Sequence, residues 1–363
     1  MDLALYAPGL GYYSAGSVKL GAGGDFVTAP EISDLFSRCV ARQCAQVLSA
    51  TGGDILELGA GTGRMAATVL ESLAADGVLP ERYCILEVSA DLAERQRERL
   101  GSLPESLRQR VVWLDRLPER PLDGVVLANE VMDALPCRRF VVADTPELAA
   151  EADGQPVGAS VLELGVSVQD GLFVEGVAPA DDALVHACEA LFRELPRAPS
   201  PGYASEVCLR LDPWIAGVGE CLQRGLILLF DYGLPRRHYY HPQRVSGTLR
   251  CHFKQRAHDD PYINVGVQDI TAWVDFTRAA EAALAVGLDV IGFCTQAAFL
   301  LGTGIEGFAA EAVGVVERAR LAGEARRLLM PGEMGEAFKV MGLARGYDVA
   351  PVGFGVQDLR HSL

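Results

Sequence analysis

The sequence predicts an α/β fold with a mostly parallel, seven-stranded sheet and an inserted α+β subdomain. Short apolar runs alternate with helix-like stretches from residue 54 onwards, which is typical of parallel strands joined by helices. Residues 129–225 separate the fourth and fifth runs, and this is too long for a single crossover. Apolar residues make up 50% of the 363 residues and charged residues 22%, so a packed core is expected.

Each element follows from a local pattern. A helix is predicted from Thr28 to residue 48, because Thr28 and Glu31 have capping-box spacing and Pro30 is tolerated in a first turn. The predicted sheet strands are residues 54–58, 83–88, 111–114, 124–128, 226–230, 290–293 and, as an antiparallel edge strand, 336–343. Within the insertion, the pattern predicts antiparallel strands at 139–143, 160–168 and 172–177, then helices at 182–195 and 205–223.

A glycine-rich loop directly follows the first strand. It has the pattern Glu57-x-Gly59-x-Gly61-x-Gly63, and glycine allows backbone N–H groups to approach a ligand closely. The dinucleotide fingerprint needs its third glycine one place later, where Arg64 stands, and no Gly-Lys-Ser/Thr follows. The spacing therefore fits an S-adenosylmethionine loop of Rossmann-like methyltransferases better than an NAD loop, with a glycine turn that binds nothing as the alternative.

Acidic or amide side chains stand at the ends of the first four predicted strands. They are Glu57, Glu87, Asp115 and the pair Asn129 and Glu130. Ligands of open α/β sheets bind outside the carboxyl ends of the strands, where Glu87 is placed to accept both ribose hydroxyls and Asp115 an adenine amino group. One such acid is ordinary surface, but four in succession favour S-adenosylmethionine as the cofactor.

Further carboxylates are candidates for the acceptor side of a site. Glu130 and Asp133 are predicted to lie one helical turn apart on one face of a helix, Asp25 lies in the glycine-rich opening segment, and Glu206 begins a predicted helix. For Asp133 and Glu206 the alternative is a helix N-terminal charge that complements the dipole. The histidines lack ligand spacing, so no metal site is predicted.

Charge and cysteine usage restrict the classes of partner. The net charge of −16 repels phosphate backbones, so no nucleic-acid partner is expected. The nine cysteines form no Cys-x-x-Cys pair, and neither a membrane span nor a signal peptide is predicted. These observations favour a cytoplasmic location.

Several motifs occur together in the order of one known family. They are Gly11-Tyr12-Tyr13, residues 24–33 (GDFVTAPEIS), 56–63 (LELGAGTG), 86–89 (LEVS), 129–136 (NEVMDALP), 231–233 (DYG), 247–250 (GTLR), 269–271 (DIT) and 331–335 (PGEMG). Over nearly its whole length the chain resembles the MidA family of S-adenosylmethionine-dependent methyltransferases, which includes the mitochondrial arginine methyltransferase that assists assembly of respiratory complex I. Family members usually carry Gly-Pro-Gly-Arg-Gly in the loop, whereas here the arginine is displaced to Arg64.

The resemblance implies a Rossmann-like class I methyltransferase that converts S-adenosyl-L-methionine to S-adenosyl-L-homocysteine. The acceptor it implies is a protein arginine, on a complex I subunit during assembly. An assembly or interaction factor that keeps the fold without catalysis is the alternative, an oxidoreductase is a weaker rival, and the oligomeric state stays open, a dimer included. The residues expected to bind cofactor are Thr28, Glu57, Gly59, Gly61, Gly63, Glu87, Asp115 and Asn129, and those expected to be catalytic are Glu130, Asp133 and Asp25.

Four segments are predicted along the chain. Residues 1–50 form a glycine-rich flap and capping helix, 51–137 the cofactor-binding core, 138–224 the inserted subdomain, and 225–363 the rest of the core with a loop insertion at 233–266.

Overall fold

The computed structural model describes residues 1–14, 27–143 and 161–363, and these contain a mixed α/β architecture. The strands are β1 (Asp54–Leu58), β2 (Tyr83–Leu86), β3 (Val111–Leu114), β4 (Leu122–Asn129), β5 (Arg138–Val142), β6 (Val161–Gln169), β7 (Leu172–Pro179), β8 (Ala204–Val207), β9 (Leu222–Leu234), β10 (Arg250–Phe253), β11 (Arg256–His258), β12 (Asp269–Thr271), β13 (Val274–Asp275), β14 (Asp289–Thr295) and β15 (Phe338–Arg345).

Helices pack on both faces of the central sheet. The helices of the described residues are α1 (Asp2–Tyr6), α2 (Ala29–Ile32), α3 (Asp34–Thr51), α4 (Arg64–Ala75), α5 (Ala90–Gly101), α6 (Glu105–Arg108), α7 (Asp182–Glu194), α8 (Leu211–Glu220), α9 (Arg236–Tyr239), α10 (Phe276–Ala285), α11 (Gln296–Gly302), α12 (Ile305–Ala310), α13 (Val315–Leu329) and α14 (Met334–Ala337).

Seven strands of the central sheet lie in the order β14-β15-β9-β4-β1-β2-β3, and the two-residue strand β13 pairs with β9 as an eighth. Strands β3, β2, β1, β4 and β9 are parallel, whereas β15 is antiparallel to both of its neighbours. The α/β fold with a mostly parallel sheet is confirmed. The prediction that the last strand is an edge strand is wrong, because β15 lies between β9 and β14. The residues of β15 are mostly apolar on both faces of the strand, as is usual for a strand in the interior of a sheet.

The core consists of two apolar layers, one on each face of the sheet. Alternate residues of β1 point to opposite sides, so that Ile55 packs with α3 and α4 while Leu56 packs with α8 and α10. Both side chains are fully buried. This arrangement leaves the carboxyl ends of β1, β2 and β4 together at one edge of the sheet.

The insertion between β4 and β9 contains a second, four-stranded sheet in the order β7-β6-β5-β8, with α7 packed on it. An inserted α+β subdomain is thereby confirmed. The prediction of a continuous helix at 205–223 is wrong at its start, because residues 204–207 pair with β5 as strand β8 and α8 begins only at Leu211. The predicted boundaries of the four chain segments stay a prediction.

The predicted helix from Thr28 to residue 48 is interrupted. Ser33 is extended, with φ −158°, and its side chain accepts a hydrogen bond from the Leu35 amide as the N-cap of α3. Thr28 precedes the short helix α2, but its side chain makes no capping hydrogen bond. A serine that caps a new helix thus ends the first one after a single turn.

In the part of the chain that the structure describes, no helix is both long and apolar enough to cross a membrane.

Candidate functional site

The glycine loop joins β1 to α4 at the carboxyl edge of the sheet. Gly59, Gly61 and Gly63 have φ values of 66°, 54° and 78°, and side-chain-bearing residues rarely adopt these values. The Gly59 amide donates to the carbonyl of Leu86 at 2.9 Å, so the loop is tied to the end of β2. The predicted strand, tight turn and helix N-terminus are all present.

Arg64, the displaced loop arginine, joins this loop to helix α2 and to the first residue of α3. Arg64 donates from Nε to Oδ1 of Asp34 at 2.8 Å and from an Nη to the carbonyl of Glu31 at 2.7 Å. The hydroxyl of Thr62 donates to the carboxylate of Glu31. Arg64 therefore acts as a tie between two chain segments at the rim of the site.

Two acids lie at the ends of β1 and β2. Glu57 is buried within β1 and accepts a hydrogen bond from the Tyr83 hydroxyl at 2.7 Å. Burial raises the pKa of Glu57 to about 7, although the bond from Tyr83 lowers it. Glu87 follows β2, and its two carboxylate oxygens accept hydrogen bonds from the Ser89 amide at 2.9 Å and the Gln96 amide group at 3.0 Å.

Asn129 ends β4, and Glu130 begins the turn that follows it. Glu130 has φ 55°, a value that is uncommon for a residue with a side chain and costs conformational energy. The Asn129 amide group donates to Oε1 of Glu130 at 3.1 Å, and the Glu130 backbone amide donates to the carbonyl of Phe230 at 2.8 Å. The prediction that Glu130 and Asp133 share one face of a helix is wrong, since residues 130–136 form turns and not a helix.

Asp231, in β9, sets the shape of this turn. Its Oδ2 accepts hydrogen bonds from the backbone amides of Met132 and Asp133 at 2.9 and 3.2 Å, and the side chain is fully buried. The carboxylate of Asp231 thus replaces the backbone partners that a helix would have provided. Asp133 is brought close to Glu130 by this bond pattern.

These residues surround a cavity of about 820 Å³ that is partly open to solvent. It is lined by the predicted residues Thr28, Glu57, Gly59, Gly61, Glu87, Asn129 and Glu130. Gly63 does not line it but caps α4, and Asp115 is exposed beyond the end of β3. The predicted roles of these two residues stay predictions, and Asp25 lies outside the described residues.

Sequence reasoning missed several residues of the lining. Tyr6 and Tyr13, from the start of the chain, stack at 5.6 Å between ring centroids over one side of the cavity. Val88 lines it with 77% of its side chain exposed, next to Leu92. Two features of the sequence could have indicated these lining residues. Tyr13 belongs to the Gly-Tyr-Tyr motif, and Val88 is an apolar residue directly after the acid that ends the second strand.

A second cavity, of about 910 Å³, meets the first at Glu130. Three more acids line it, namely Asp133, Asp269 and Glu333, together with Tyr232. Asp133 and Asp269 are almost completely buried, and Oδ1 of Asp133 has no hydrogen-bond partner among the described residues. Burial, and then the charge of Asp133, raises the pKa of Glu130 to about 8. Burial likewise raises the pKa values of Asp133 and Asp231.

Glu206 lies apart from both cavities. It is in strand β8 and does not begin a helix, so that prediction is wrong. Its carboxylate accepts hydrogen bonds from the Tyr239 hydroxyl at 2.8 Å and the Thr248 amide at 2.7 Å, which fix the loop at Gly247. Within residues 1–14, 27–143 and 161–363, no group of three or more His, Cys, Asp or Glu is arranged to hold a metal ion.

The first cavity has the chemistry that S-adenosylmethionine requires. Gly59 and Gly61 of the glycine loop line it, an acid stands at the end of the second strand, and buried Oδ1 of Asn129 has no partner among the described residues. Such an acceptor suits an ammonium donor like that of a methionine moiety. The residues present therefore fit this cofactor.

Comparison with known proteins agrees with this assignment. Residues 39–294 match the model of a family described as "Putative S-adenosyl-L-methionine-dependent methyltransferase". A candidate methyl transfer enzyme from Burkholderia thailandensis, solved with bound S-adenosyl-homocysteine, is 40% identical, with a TM-score of 0.90 over all of this chain and 90% of that one. S-adenosylmethionine is therefore the cofactor of this protein.

More distant relatives carry a more specific name. The mitochondrial protein arginine methyltransferase NDUFAF7 of Danio rerio is 27% identical over 93% of this chain and 81% of its own length. Its Drosophila melanogaster homologue is 28% identical over 76% of this chain and 63% of its own length. At this identity the names of these relatives do not by themselves assign the acceptor of this chain.

Proposed function

We propose, since this chain belongs to the MidA-like family of S-adenosylmethionine-dependent methyltransferases, that it methylates an arginine side chain of a protein. The observation that carries the proposal is the second cavity, which meets the cofactor cavity at Glu130 and has the buried carboxylates of Asp133 and Asp269 in its wall, with Arg250 and Arg327 also among its lining residues. A guanidinium is planar, permanently cationic and able to donate five hydrogen bonds, so it is matched by several buried carboxylates. The names of the distant relatives support the same acceptor.

The mechanism requires alignment more than proton transfer. When bound, S-adenosylmethionine supplies an electrophilic methyl group on a sulfonium. Glu130 and Asp133 are proposed to hold the guanidinium in one plane by charge-assisted hydrogen bonds, with one nitrogen facing the first cavity. Asp231 holds the turn that carries both acids, and Tyr6 and Tyr13 line the first cavity beside it.

The natural substrate is proposed to be a subunit of respiratory complex I during its assembly. This part rests on the resemblance of the sequence motifs to the MidA family, and the distant relatives, named mitochondrial protein arginine methyltransferases, support the arginine acceptor. A non-catalytic assembly factor with retained cofactor binding is the competing function. The two differ in whether a methyl group leaves the cofactor.

Labelled methyl transfer separates the two functions. The protein is incubated with methyl-labelled S-adenosylmethionine and a lysate from cells that lack it, and labelled bands are hydrolysed to identify the methylated amino acid. Label in methylarginine supports the proposal. Label in another amino acid, or calorimetric binding of S-adenosylmethionine without any labelled protein, contradicts it, and the second result supports the assembly factor.

Acceptor binding is expected to depend on pH through Glu130. The guanidinium needs ionised Glu130, whose pKa is raised to about 8 and which Asp133 and Asp269 face. The ionised fraction rises from about a tenth at pH 7 to a half at pH 8, so kcat/KM for the acceptor should rise about fivefold over this interval and level off above about pH 9. Initial rates at saturating cofactor measure this. A flat or falling profile would contradict the assignment, and Glu130→Gln is the control, since its residual rate should lose the rise.

A further inference from the structure

Gln96 is a completely buried amide on α5 that lies outside the lining of the two cavities described above. A buried polar side chain in a helix costs free energy unless all its polar atoms are hydrogen-bonded. Here Nε2 donates to the carbonyl of Gly61 at 2.9 Å and to Oε2 of Glu87 at 3.0 Å, and Oε1 accepts from Nε1 of Trp113 at 3.1 Å. One side chain thus links the glycine loop, the acid after β2 and strand β3.

The orientation of this amide is fixed by its partners. The indole nitrogen of Trp113 can only donate, so it must face Oε1 of Gln96, and the amide nitrogen must then face Gly61 and Glu87. Gly63 packs directly against the same residue, because an added Cβ would lie 3.3 Å from Cα and Cγ of Gln96. The loop and the helix therefore approach each other closely at this point.

We propose that Gln96 is a positioning residue for the cofactor, which sets the carboxylate plane of Glu87 for the ribose hydroxyls. The Ser89 amide donates to one oxygen of Glu87 and Gln96 to the other, so two donors on different oxygens fix the rotation of the carboxylate. A carboxylate held in this way accepts two hydroxyl groups without first losing rotamer freedom. Trp113 holds Gln96 in turn and keeps its donors directed at the site.

The inference concerns binding of the cofactor and rests on the proposed contact of Glu87 with ribose, not on the identity of the acceptor. Calorimetry of the full chain with S-adenosylhomocysteine and with its 2′,3′-dideoxyribose analogue measures it. Gln96→Met keeps the volume and removes the hydrogen bonds. We expect it to raise the Kd for S-adenosylhomocysteine about tenfold and the Kd for the analogue less than twofold, since the analogue has no hydroxyl groups for Glu87.

A merely structural role predicts a different pattern. If Gln96 only packs the loop, Gln96→Met weakens both ligands equally, and the proposal is overturned. Trp113→Phe, which removes the donor to Oε1, should give a smaller loss with the same preference for the hydroxylated ligand. Leu100→Val, at another fully buried position of α5, is the packing control and should leave the ratio of the two Kd values unchanged.

The Glu87→Gln variant tests the premise. We expect it to weaken S-adenosylhomocysteine selectively, and the double variant with Gln96→Met to be no weaker than Glu87→Gln alone, because the two residues act through one contact. Additive losses would overturn the inference, as would equal loss of the two ligands in Glu87→Gln. None of these measurements uses a methyl acceptor, so their failure leaves the arginine proposal untouched.

Discussion

Replacing Glu130 with glutamine is expected to lower kcat for methyl transfer by about 10²-fold or more while S-adenosylhomocysteine still binds. Glutamine keeps the shape but removes the charge that holds a guanidinium, and the loss of one partner of a buried charged pair costs about 3–5 kcal/mol. Glu130 also keeps its φ of 55° only because the surrounding structure holds it there, as is common at functional sites. Initial rates at saturating cofactor, with calorimetry of the product, measure both effects.

Glu333→Gln is the matched control for this variant. Glu333 lines the same second cavity but is exposed at its rim. Its replacement should change kcat less than about threefold, because an exposed charge contributes little. Unchanged turnover in Glu130→Gln would end the assignment of Glu130, and loss of cofactor binding in that variant would show that Glu130 holds the cofactor and not the acceptor.

Replacing Gly124 with alanine is expected to lower the free energy of unfolding by about 3 kcal/mol or more, or to prevent soluble expression. Gly124 lies in β4 opposite Asp54 of β1, with φ 125°, where an added Cβ would lie well inside contact distance of the Asp54 carbonyl oxygen. The three nearest atoms are all backbone atoms of Asp54 in the central strand β1, so no side chain can move to relieve the contact. Denaturant unfolding and soluble yield measure the effect.

Gly77→Ala separates the two causes. Gly77, after α4, has φ 71° but no atom within 4 Å of an added Cβ. Alanine there meets only the conformational cost, which is about 1 kcal/mol. Equal destabilisation by the two substitutions would show that the close approach of β1 and β4 contributes nothing.

Local patterns in the sequence predicted much of the sheet and of the cofactor cavity. Antiparallel strands were predicted at 160–168 and 172–177, and β6 and β7 are joined between these segments by Asp170 and Gly171 at φ 52° and 79°. Glu57 and Glu87 were found because parallel strands place their carboxyl ends at one edge. Each of these inferences needs only a few neighbouring residues.

What the sequence could not predict depends on partners distant along the chain. The segment after Asn129 was expected to be helical, but the carboxylate of Asp231 binds its amides across a separation of about a hundred residues. Gln96 looked like one more polar residue of an amphipathic helix until its partners Gly61, Glu87 and Trp113 were known. In both cases hydrogen bonds to residues distant in the chain determine the structure, and local helix propensity does not.

The interior position of β15 has a consequence for biosynthesis. Among the described strands, β14 pairs with the sheet only through β15, which leaves the ribosome after the other strands of this sheet. The strands that precede it can pair early during translation, whereas one edge of the sheet and the cavity wall at Phe338 wait for residues 338–345. Until then the edge of β9 is open, and a nascent chain paused before residue 338 should be the form that chaperones recognise.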